Sequence, residues 1–379
     1  MLTSLLSSLA LAAVASAQMA DMNMMNLTQV LAANNQTLSN LTSLLQGLPA
    51  VSSALSNAQN ITILAPSNEA FAKFLATPAG KAASANPGDL TALLEYHVLN
   101  GTYNSTAVNT TSAYVHTLLT NATYTNVTGG QVVTLGKMGS DVMVTSGLRE
   151  MSMVTTADVP FAGGTVHVID TVLSLPGMPS GAAVASNLTA LAGALTTANL
   201  VSAVNGLKDV TIFAPSNAAF QRIGSAAGSL TGDTLTKVLE YHVVNGTVGY
   251  AGRLMNMSLP TLEGAQVKVE VGNKVFVNSA EVIVTDVIVA NGVLHVIDNV
   301  LNPANTTATP NPTATSQPVA FSGASSASAV PFTSGISVTT TAPSASTPTH
   351  KSGAANVVAH REGVVGMAAL LGVGFVAAF

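Results

Sequence analysis

The chain contains one ten-residue stretch twice, and this repeat restricts its fold more than any other feature. Residues 62–71 read Thr-Ile-Leu-Ala-Pro-Ser-Asn-Glu-Ala-Phe, and residues 211–220, 149 positions further on, read Thr-Ile-Phe-Ala-Pro-Ser-Asn-Ala-Ala-Phe. Two more segments recur in the same order, 95–102 as 240–247 and 166–170 as 294–298. A period of this length is the size of a domain and too long for a solenoid repeat. The sequence therefore predicts two tandem copies of one domain.

The three repeated segments resemble the sequence boxes of the fasciclin (FAS1) domain family. The first box is Ala-Pro-Ser-Asn-x-Ala-Phe, the middle box is Tyr-His, and the second box is His-Val-Ile-Asp. The resemblance covers roughly residues 26–176 and 185–303. Short apolar strands that alternate with helices favour an α+β fold. The resemblance further implies two tandem FAS1-like domains, each a β-sandwich-like wedge with packed helices.

Most residues of the boxes are interpreted as structural. A proline ends the first-box strand by removing a donor, the Ser-Asn pair after it can cap a helix, and the phenylalanine then reaches the core. His97 and His242 fall on the apolar stripe of a helix, which favours a core histidine over a catalytic or metal-binding one. The structural set is Pro66, Asn68, Phe71, His97, His167, Asp170, Pro215, Asn217, Phe220, His242, His295 and Asp298.

An aspartate stands nine residues before each second-box histidine, in Asp158-Val159 and in Asp286-Val287. The resemblance implies that this neighbourhood corresponds to the Asp-Ile adhesion motif of animal fasciclin proteins, and that the Tyr-His box takes part in integrin recognition. Valine replaces isoleucine here, and Pro160 interrupts the pattern in the first copy. The alternative is an aspartate that satisfies the loop before a strand. The candidate partner-binding residues are Asp158, Val159, Asp286, Val287, Tyr96 and Tyr241.

Composition argues against several classes of function. Only 8% of the residues are charged, the formal net charge is −5, and no cluster of lysine or arginine occurs, which disfavours nucleic acid as a partner. The absence of cysteine excludes disulfides, thiolate nucleophiles and cysteine-based metal sites. No Gly-x-Ser-x-Gly, His-Glu-x-x-His, Walker loop or dinucleotide fingerprint is present. We therefore expect no enzymatic activity, no catalytic or metal-binding residue and no cofactor.

Both ends of the chain carry signals for the secretory pathway. Residues 1–17 are mostly apolar and small and end in Ala-Ser-Ala, the pattern of a cleaved signal peptide. Residues 364–379 are apolar and follow a group of small residues at 352–355, the pattern of a GPI-attachment signal. We expect lipid attachment near Ser352 or Gly353, and the alternative is a short retained membrane anchor.

The predicted organisation has five parts. Residues 304–351 are nearly all Ser, Thr, Ala and Pro with little charge, which predicts an O-glycosylated stalk without a core of its own. The parts are a signal peptide (1–17), FAS1-like domain 1 (18–177), FAS1-like domain 2 (178–303), the Ser/Thr/Pro-rich stalk (304–351) and the GPI-attachment signal (352–379).

Thirteen Asn-x-Ser/Thr sequons predict a heavily glycosylated surface. An apolar content of 48% with so little charge needs another source of solubility, which glycans supply. Four of the sequons lie in an insertion around residues 103–128 of the first copy, which should form a surface loop or hairpin. The sequons are at Asn26, Asn35, Asn40, Asn60, Asn100, Asn104, Asn109, Asn121, Asn126, Asn187, Asn245, Asn256 and Asn305.

Three functions are compatible with these patterns. The preferred one is a cell-surface adhesion or matrix-interaction glycoprotein, on the outer face of the plasma membrane or in the cell wall, held by a lipid anchor. Its partner would be a protein or glycan of the extracellular matrix, cell wall or cell surface. The alternatives are a carrier of a lipid or small apolar ligand in a domain cavity, and a structural spacer whose glycans make the contacts.

Overall fold

The computed structural model describes residues 25–306 and 308–337, which form two domains built to the same plan. The helices of domain 1 are α1 (Leu27–Ala33), α2 (Asn35–Gly47), α3 (Pro49–Asn57), α4 (Asn68–Ala76), α5 (Pro78–Ala85) and α6 (Pro87–Tyr96). Its strands are β1 (Ile61–Pro66), β2 (Val98–Asn100), β3 (Ala113–His116), β4 (Val132–Met138), β5 (Asp141–Thr145), β6 (Met151–Phe161) and β7 (Gly164–Ile169).

Domain 2 repeats this order with elements of equal or shorter length. Its helices are α7 (Pro179–Ala185), α8 (Thr189–Thr197), α9 (Val201–Gly206), α10 (Asn217–Arg222), α11 (Gly224–Ala227) and α12 (Gly232–Glu240). Its strands are β8 (Val210–Pro215), β9 (Val243–Val244), β10 (Met257–Pro260), β11 (Gln266–Val271), β12 (Val275–Val277), β13 (Ala280–Val289) and β14 (Gly292–Ile297).

Each domain has one seven-stranded sheet, and matching strands occupy matching places. The order is β3-β4-β5-β6-β7-β1-β2 in domain 1 and β10-β11-β12-β13-β14-β8-β9 in domain 2. The first-box strand runs parallel to the second-box strand, and the other pairings are antiparallel. Single bridges, Leu99 with Thr117 and Val244 with Thr261, bring the two ends of each sheet together. Each sheet is therefore nearly closed, as expected for a sandwich-like wedge in an α+β fold.

The first box forms the corner between sheet and helix. After β1, the Ser67 hydroxyl accepts a hydrogen bond from the Ala70 amide at 3.1 Å and caps α4, and Ser216 does the same for α10. Asn68 instead ties this corner to the start of α2, because its side-chain nitrogen donates to the Gln36 carbonyl at 2.9 Å. Phe71 and its counterpart Phe220 are both buried in the core between helices and sheet.

The domain-1 insertion has a specific place in the fold. The loop between β3 and β4 spans residues 117–131, whereas the matching loop between β10 and β11 spans only 261–265. Its far end reaches domain 2: the Asn126 amide donates to the Ala290 carbonyl at 2.8 Å, and Gln131 donates to the Val289 carbonyl at 3.1 Å. The extra residues are thus a surface loop in part, and in part a contact between the domains.

Much of the first part of the predicted stalk, residues 304–351, packs on domain 2. Residues 317–336, which we name the C-terminal strap, lie along the helical face of domain 2. The Phe332 ring meets the Phe220 ring edge-to-face with centroids 5.8 Å apart, and the Ala327 amide donates to the Gln221 carbonyl at 3.0 Å. The strap forms no core of its own but adds apolar side chains to an existing one, namely Val319, Phe321, Ala324, Val330, Phe332 and Ile336.

Two glycines explain why the strap fits domain 2. A Cβ atom at Gly193 would collide with the Phe332 carbonyl, and one at Gly224 would collide with Ala327. The matching positions in domain 1 are Ser43, judged by the shared hydrogen bond to the box asparagine, and Leu75. Side chains at both positions make the domain-1 face unsuitable for an equivalent strap.

The Phe332→Ala substitution should loosen the strap. Phe332 is only partly buried, so we expect a loss of about 1–2 kcal/mol in the free energy of unfolding of domain 2, less than for a fully buried phenylalanine. Limited proteolysis should then cut within 317–336 faster than in the parent protein. Ser334→Ala, at an exposed position of the same segment, is the matched control, and equal cleavage of both variants would contradict this packing.

Several predictions concern residues outside the described ranges. The signal peptide, the GPI-attachment signal and the lipid site at Ser352 or Gly353 all lie there. Among residues 25–306 and 308–337, no helix combines the length and apolarity that a membrane crossing requires.

Candidate functional site

The middle-box histidines each hold two backbone segments together by hydrogen bonds, and we call this arrangement a bracket. The His97 ring accepts a hydrogen bond from the Leu173 amide at 2.9 Å through Nε2, so its Nδ1 carries the proton and donates to the Leu93 carbonyl at 2.7 Å. His242 does the same with the Leu301 amide and the Val238 carbonyl. Burial lowers the pKa of each ring to about 4, so both are neutral at pH 7. Each ring joins a helix end to the chain that leaves the second-box strand.

The second-box histidines hold two irregularities within strands, at Asp158 in β6 and at Asp286 in β13, which we name the aspartate loops. His167 accepts a hydrogen bond from the Asp158 amide at 3.0 Å through Nδ1, and its Nε2 donates to the Tyr103 carbonyl at 2.7 Å. His295 binds the Asp286 amide and the Gly249 carbonyl in the same way. Asp158 and Asp286 have φ angles of 58° and 59°, a left-handed backbone that is uncommon outside glycine. The histidines therefore fix an unusual loop in both domains.

The acidic residues of the second box tie neighbouring strands together. The Asp170 carboxylate accepts from the Met153 amide at 2.9 Å, and the Asp298 carboxylate accepts from the Glu281 amide at 2.7 Å. Burial raises the pKa of Asp298. Each carboxylate thus accepts a hydrogen bond from a backbone amide, Asp170 from β6 and Asp298 from β13.

Tyr96 and Tyr241 offer no surface to a partner. Both rings are fully buried, and their hydroxyls donate to the carbonyls of Val132 at 2.9 Å and Gln266 at 3.0 Å. Val287 is also buried, at 1% exposure, while Val159 is half-buried. Direct recognition through the Tyr-His box would require the domain to open, so the expectation for these two tyrosines does not fit the folded protein.

Asp158 lies at the edge of an open polar cleft in domain 1. The cleft has a volume of about 490 Å³, and its walls come from the start of β1, the loop after β2 and the β6–β7 turn. The Asp158 side chain is 37% exposed. Its Oδ1 accepts from the Ser105 amide at 2.8 Å, and its Oδ2 accepts from the Ser105 hydroxyl. Because a carboxylate oxygen can accept two hydrogen bonds, both oxygens keep capacity for a further donor.

Asp286 occupies the matching place in domain 2, but domain 1 covers it. Its Oδ1 accepts from the Ala251 amide at 2.8 Å, and its Oδ2 accepts from the Tyr114 hydroxyl of domain 1 at 2.9 Å. Burial, and then the Asp286 carboxylate, raise the pKa of Tyr114, so the phenol stays protonated and donates. The Tyr114 ring stacks on Tyr250 with centroids 4.6 Å apart, and the Arg253 guanidinium lies 5.6 Å from the Tyr114 centroid.

Asp158 and Asp286 have different surroundings because one neighbouring residue differs between the two domains. Ser105 and Ala251 both begin the short 3₁₀ helix that faces the carboxylate. In domain 1 the Ser105 hydroxyl binds the second carboxylate oxygen, whereas Ala251 leaves that oxygen free for Tyr114. Tyr114 lies within the insertion predicted around residues 103–128, and no sequence pattern singled out Tyr114, Tyr250 or Arg253 as functional. The sequence signal available for these tyrosines was their scarcity, since the chain has only six.

The interior of domain 1 has little free space. An apolar cavity lies between the helices and the sheet of domain 1, lined by leucines, Ile63, Phe71 and His97, but its volume is about 20 Å³. That is room for about one water molecule, far below the size of a lipid. Within the described ranges, no three His, Asp or Glu side chains are grouped so as to hold a metal ion.

Most of the sequon asparagines are on the surface. Asn126 and Asn305 are half-buried, and their side-chain amides donate to the carbonyls of Leu207 at 3.0 Å and Ala320 at 3.1 Å. The exposed ones are Asn26, Asn35, Asn40, Asn60, Asn100, Asn104, Asn109, Asn121, Asn187, Asn245 and Asn256.

Comparison with known proteins gives consistent similarities. The model of the fasciclin domain matches residues 36–176 and again 186–303. A fasciclin-like arabinogalactan protein of Arthroderma benhamiae is 38% identical over 303 residues, which cover 79% of this chain and 72% of the relative. Fasciclin-like arabinogalactan protein elcF of Phaeosphaeria nodorum is 31% identical, with 72% and 86% covered. The solved FAS1 domain pair of the insect cell adhesion molecule fasciclin I is 21% identical, with a TM-score of 0.35 and 71% and 97% covered.

Proposed function

This chain belongs to the fasciclin domain family, and from that premise we propose that it is a cell-surface adhesion or matrix-interaction glycoprotein. Its partner is a protein or glycan of the extracellular matrix, the cell wall or another cell surface. The first domain makes the contact, and the second domain supports it.

The difference between the two aspartate loops carries this proposal. The Asp158 cleft of domain 1 is open, whereas Tyr114 fills the place of the matching cleft beside Asp286. The pairing of Asp286 with Tyr114 also indicates the chemistry that such a cleft accepts, a hydroxyl donor presented from a strand edge. Asp158 and the neighbouring Val159 are therefore the contact residues that we propose, and Asp286 and Val287 are assigned to the joint between the domains.

Glycans would lie at the edge of this cleft. Asn60 and Asn104, both exposed sequon residues, line the Asp158 cleft. The Asn60 side-chain oxygen Oδ1 accepts a hydrogen bond from the Thr102 amide at 3.0 Å. Among the described residues, no hydrogen bond involves the Asn60 side-chain nitrogen, which is the atom that carries a sugar. A partner in the cleft would meet protein and glycan together, so the experiment must separate the two.

Adhesion of beads coated with the secreted protein to the matrix or wall of the producing cells tests the proposal. We expect Asp158→Ala to weaken adhesion about tenfold, the effect of losing roughly 1.4 kcal/mol at one central contact. Asp141→Ala, which removes an exposed carboxylate elsewhere in domain 1, is the matched control. Equal adhesion of the two variants would remove Asp158 from the contact surface.

A second pair of variants addresses the spacer alternative. Asn60→Gln and Asn104→Gln remove the sequons at the cleft but leave Asp158 in place. If their adhesion fell while that of Asp158→Ala did not, the glycans would make the contact. Thermal unfolding of each variant checks that domain 1 still folds.

We further propose that the protein is secreted and held at the outer cell surface by a GPI lipid near Ser352 or Gly353. The support is the sequence pattern at the two ends of the chain. Treatment of intact cells with a phosphatidylinositol-specific phospholipase C should release the protein. Retention on the cells, with release of a known GPI protein in parallel, would point to the short membrane anchor instead.

A further inference from the structure

The sequon at Asn126 differs from its neighbours because both of its functional groups, the Asn126 side-chain amide and the Thr128 hydroxyl, donate hydrogen bonds to domain 2. The Asn126 side-chain amide faces the carbonyls of Leu207 at 3.0 Å and Gly206 at 3.5 Å. The Thr128 hydroxyl, which the acceptor motif requires, donates to Asp209 Oδ2 at 2.6 Å. We name these contacts, together with the backbone bonds of the same residues, the 126–209 clasp.

The backbone of the same residues completes the clasp. The Asp209 amide donates to the Asn126 carbonyl at 3.2 Å, and the Thr128 amide donates to Asp209 Oδ1 at 2.6 Å. Asp209 has a φ of 53°, a left-handed conformation in which its carboxylate and its own amide both engage the loop from domain 1. Asn126 and Asp209 are 83 positions apart, so only the docked domains bring these groups together.

We propose that glycosylation of Asn126 and docking of the two domains exclude each other. An N-linked sugar replaces one hydrogen of the side-chain amide, and here the hydrogens of that amide face the carbonyls of the 206–207 turn. A pyranose ring attached at this nitrogen would occupy the space of that turn. The glycan-free form is docked, and the glycosylated form has its domains apart with the Asp286 carboxylate uncovered.

This exclusion makes Asn126 a modification site that sets the arrangement of the molecule. The Tyr114–Asp286 contact lies in the same joint, so separation at the clasp also exposes the second aspartate loop. A separated molecule would present two aspartate clefts, and a docked molecule presents one. The inference concerns the joint and stands even if the proposed adhesive function fails.

The chain contains no cysteine, which permits a direct test. A single Asn126→Cys variant, produced without glycans, is labelled in denaturant with an N-acetylglucosamine iodoacetamide and refolded. Asn121→Cys, at an exposed sequon on the same loop, receives the same treatment as the matched control. Small-angle scattering measures the radius of gyration, and hydrogen exchange measures protection of the Asp209 amide.

We expect the sugar at position 126 to increase the radius of gyration and to abolish protection of the Asp209 amide, while the sugar at 121 changes neither. An unlabelled Asn126→Cys sample separates the effect of the substitution from that of the sugar. Far-UV circular dichroism verifies that both domains have refolded. A compact, protected molecule with a sugar at 126 would overturn the proposal.

Glycopeptide mass spectrometry of the natural secreted protein supplies an independent test. Molecules with a glycan at Asn126 should elute as the expanded species, and unmodified molecules as the compact one. Full occupancy of Asn126 in the compact fraction would contradict the exclusion, as would unmodified molecules in the expanded fraction. Occupancy at Asn121 should be the same in both fractions.

Discussion

Acidification from pH 7 to pH 5 is expected to remove on the order of 2 kcal/mol from the free energy of unfolding of each domain through one buried histidine. His97 and His242 have a folded-state pKa of about 4, against 6.5 in the unfolded chain. A group with a depressed pKa binds fewer protons in the folded state. The stability it contributes is therefore present above pH 6.5 and is lost as the pH falls toward 4.

The bracket geometry explains why protonation is so unfavourable. In each ring, Nε2 already accepts a hydrogen bond from a backbone amide, Leu173 in domain 1 and Leu301 in domain 2. A proton on that nitrogen would face an N–H donor and place a charge in a buried site. Urea unfolding at pH 7 and pH 5 measures the loss, and His242→Gln should flatten the pH dependence of domain 2 while lowering its stability at pH 7.

Glu150 provides a variant with the opposite effect. Burial raises the pKa of its carboxyl from 4.5 to about 6, so domain 1 gains stability from it as the pH falls from 6 to 4.5, which partly opposes the loss through His97. Glu150→Gln should therefore make the acid sensitivity of domain 1 steeper. If domain 1 and domain 2 kept full stability to pH 5 with both histidines present, the bracket interpretation would be wrong.

Tyr114→Ala is expected to uncouple the two domains, with a loss of about 3 kcal/mol in docking free energy. The substitution removes the ring stacked on Tyr250 and the hydroxyl that pairs with Asp286 and accepts from the Gly252 amide at 3.0 Å. It leaves a partly buried carboxylate without its partner, which adds to the cost. Calorimetry should resolve two unfolding transitions where the parent protein gives one.

Two control variants assign this effect. Tyr114→Phe keeps the stacked ring and loses only the hydroxyl, so a smaller loss of about 1 kcal/mol is expected. Tyr103→Phe removes a hydroxyl within domain 1 that donates to the Asn100 carbonyl at 3.3 Å, away from the joint. A single transition in Tyr114→Ala at the parent's temperature would show that the joint does not depend on this contact.

The boxes could be interpreted from the sequence because their roles are local. Pro66 ends a strand, Ser67 caps the next helix, and His97 bonds to Leu93 four residues before it. Such contacts depend on residue types at short spacing, which a repeat in the sequence displays directly. The family assignment followed from the same short segments and is confirmed by the comparisons, and the α+β fold is confirmed by the structure.

The candidate site could not be completed in this way because its contacts are not local. Asp158 and Asp286 occupy matching positions, each followed by a valine and nine residues before a histidine, yet Tyr114, 172 positions before Asp286, covers one of them. The packing of the strap on domain 2 could not be predicted for another reason. A few apolar residues such as Phe332 are lost in the average composition of a Ser/Thr-rich segment, although each packs on domain 2.

The strap also changes how the molecule would respond to mechanical load. With the proposed lipid near residue 352 or 353, tension between the membrane and a partner bound to domain 1 would reach the strap before it reached the sheet of domain 2. The strap is held by side-chain packing and scattered hydrogen bonds, so it should peel away first. Its residues 317–336 would then release about 65 Å of extended chain at roughly 3.3 Å per residue. The two domains would stay folded while the chain between them and the membrane lengthened.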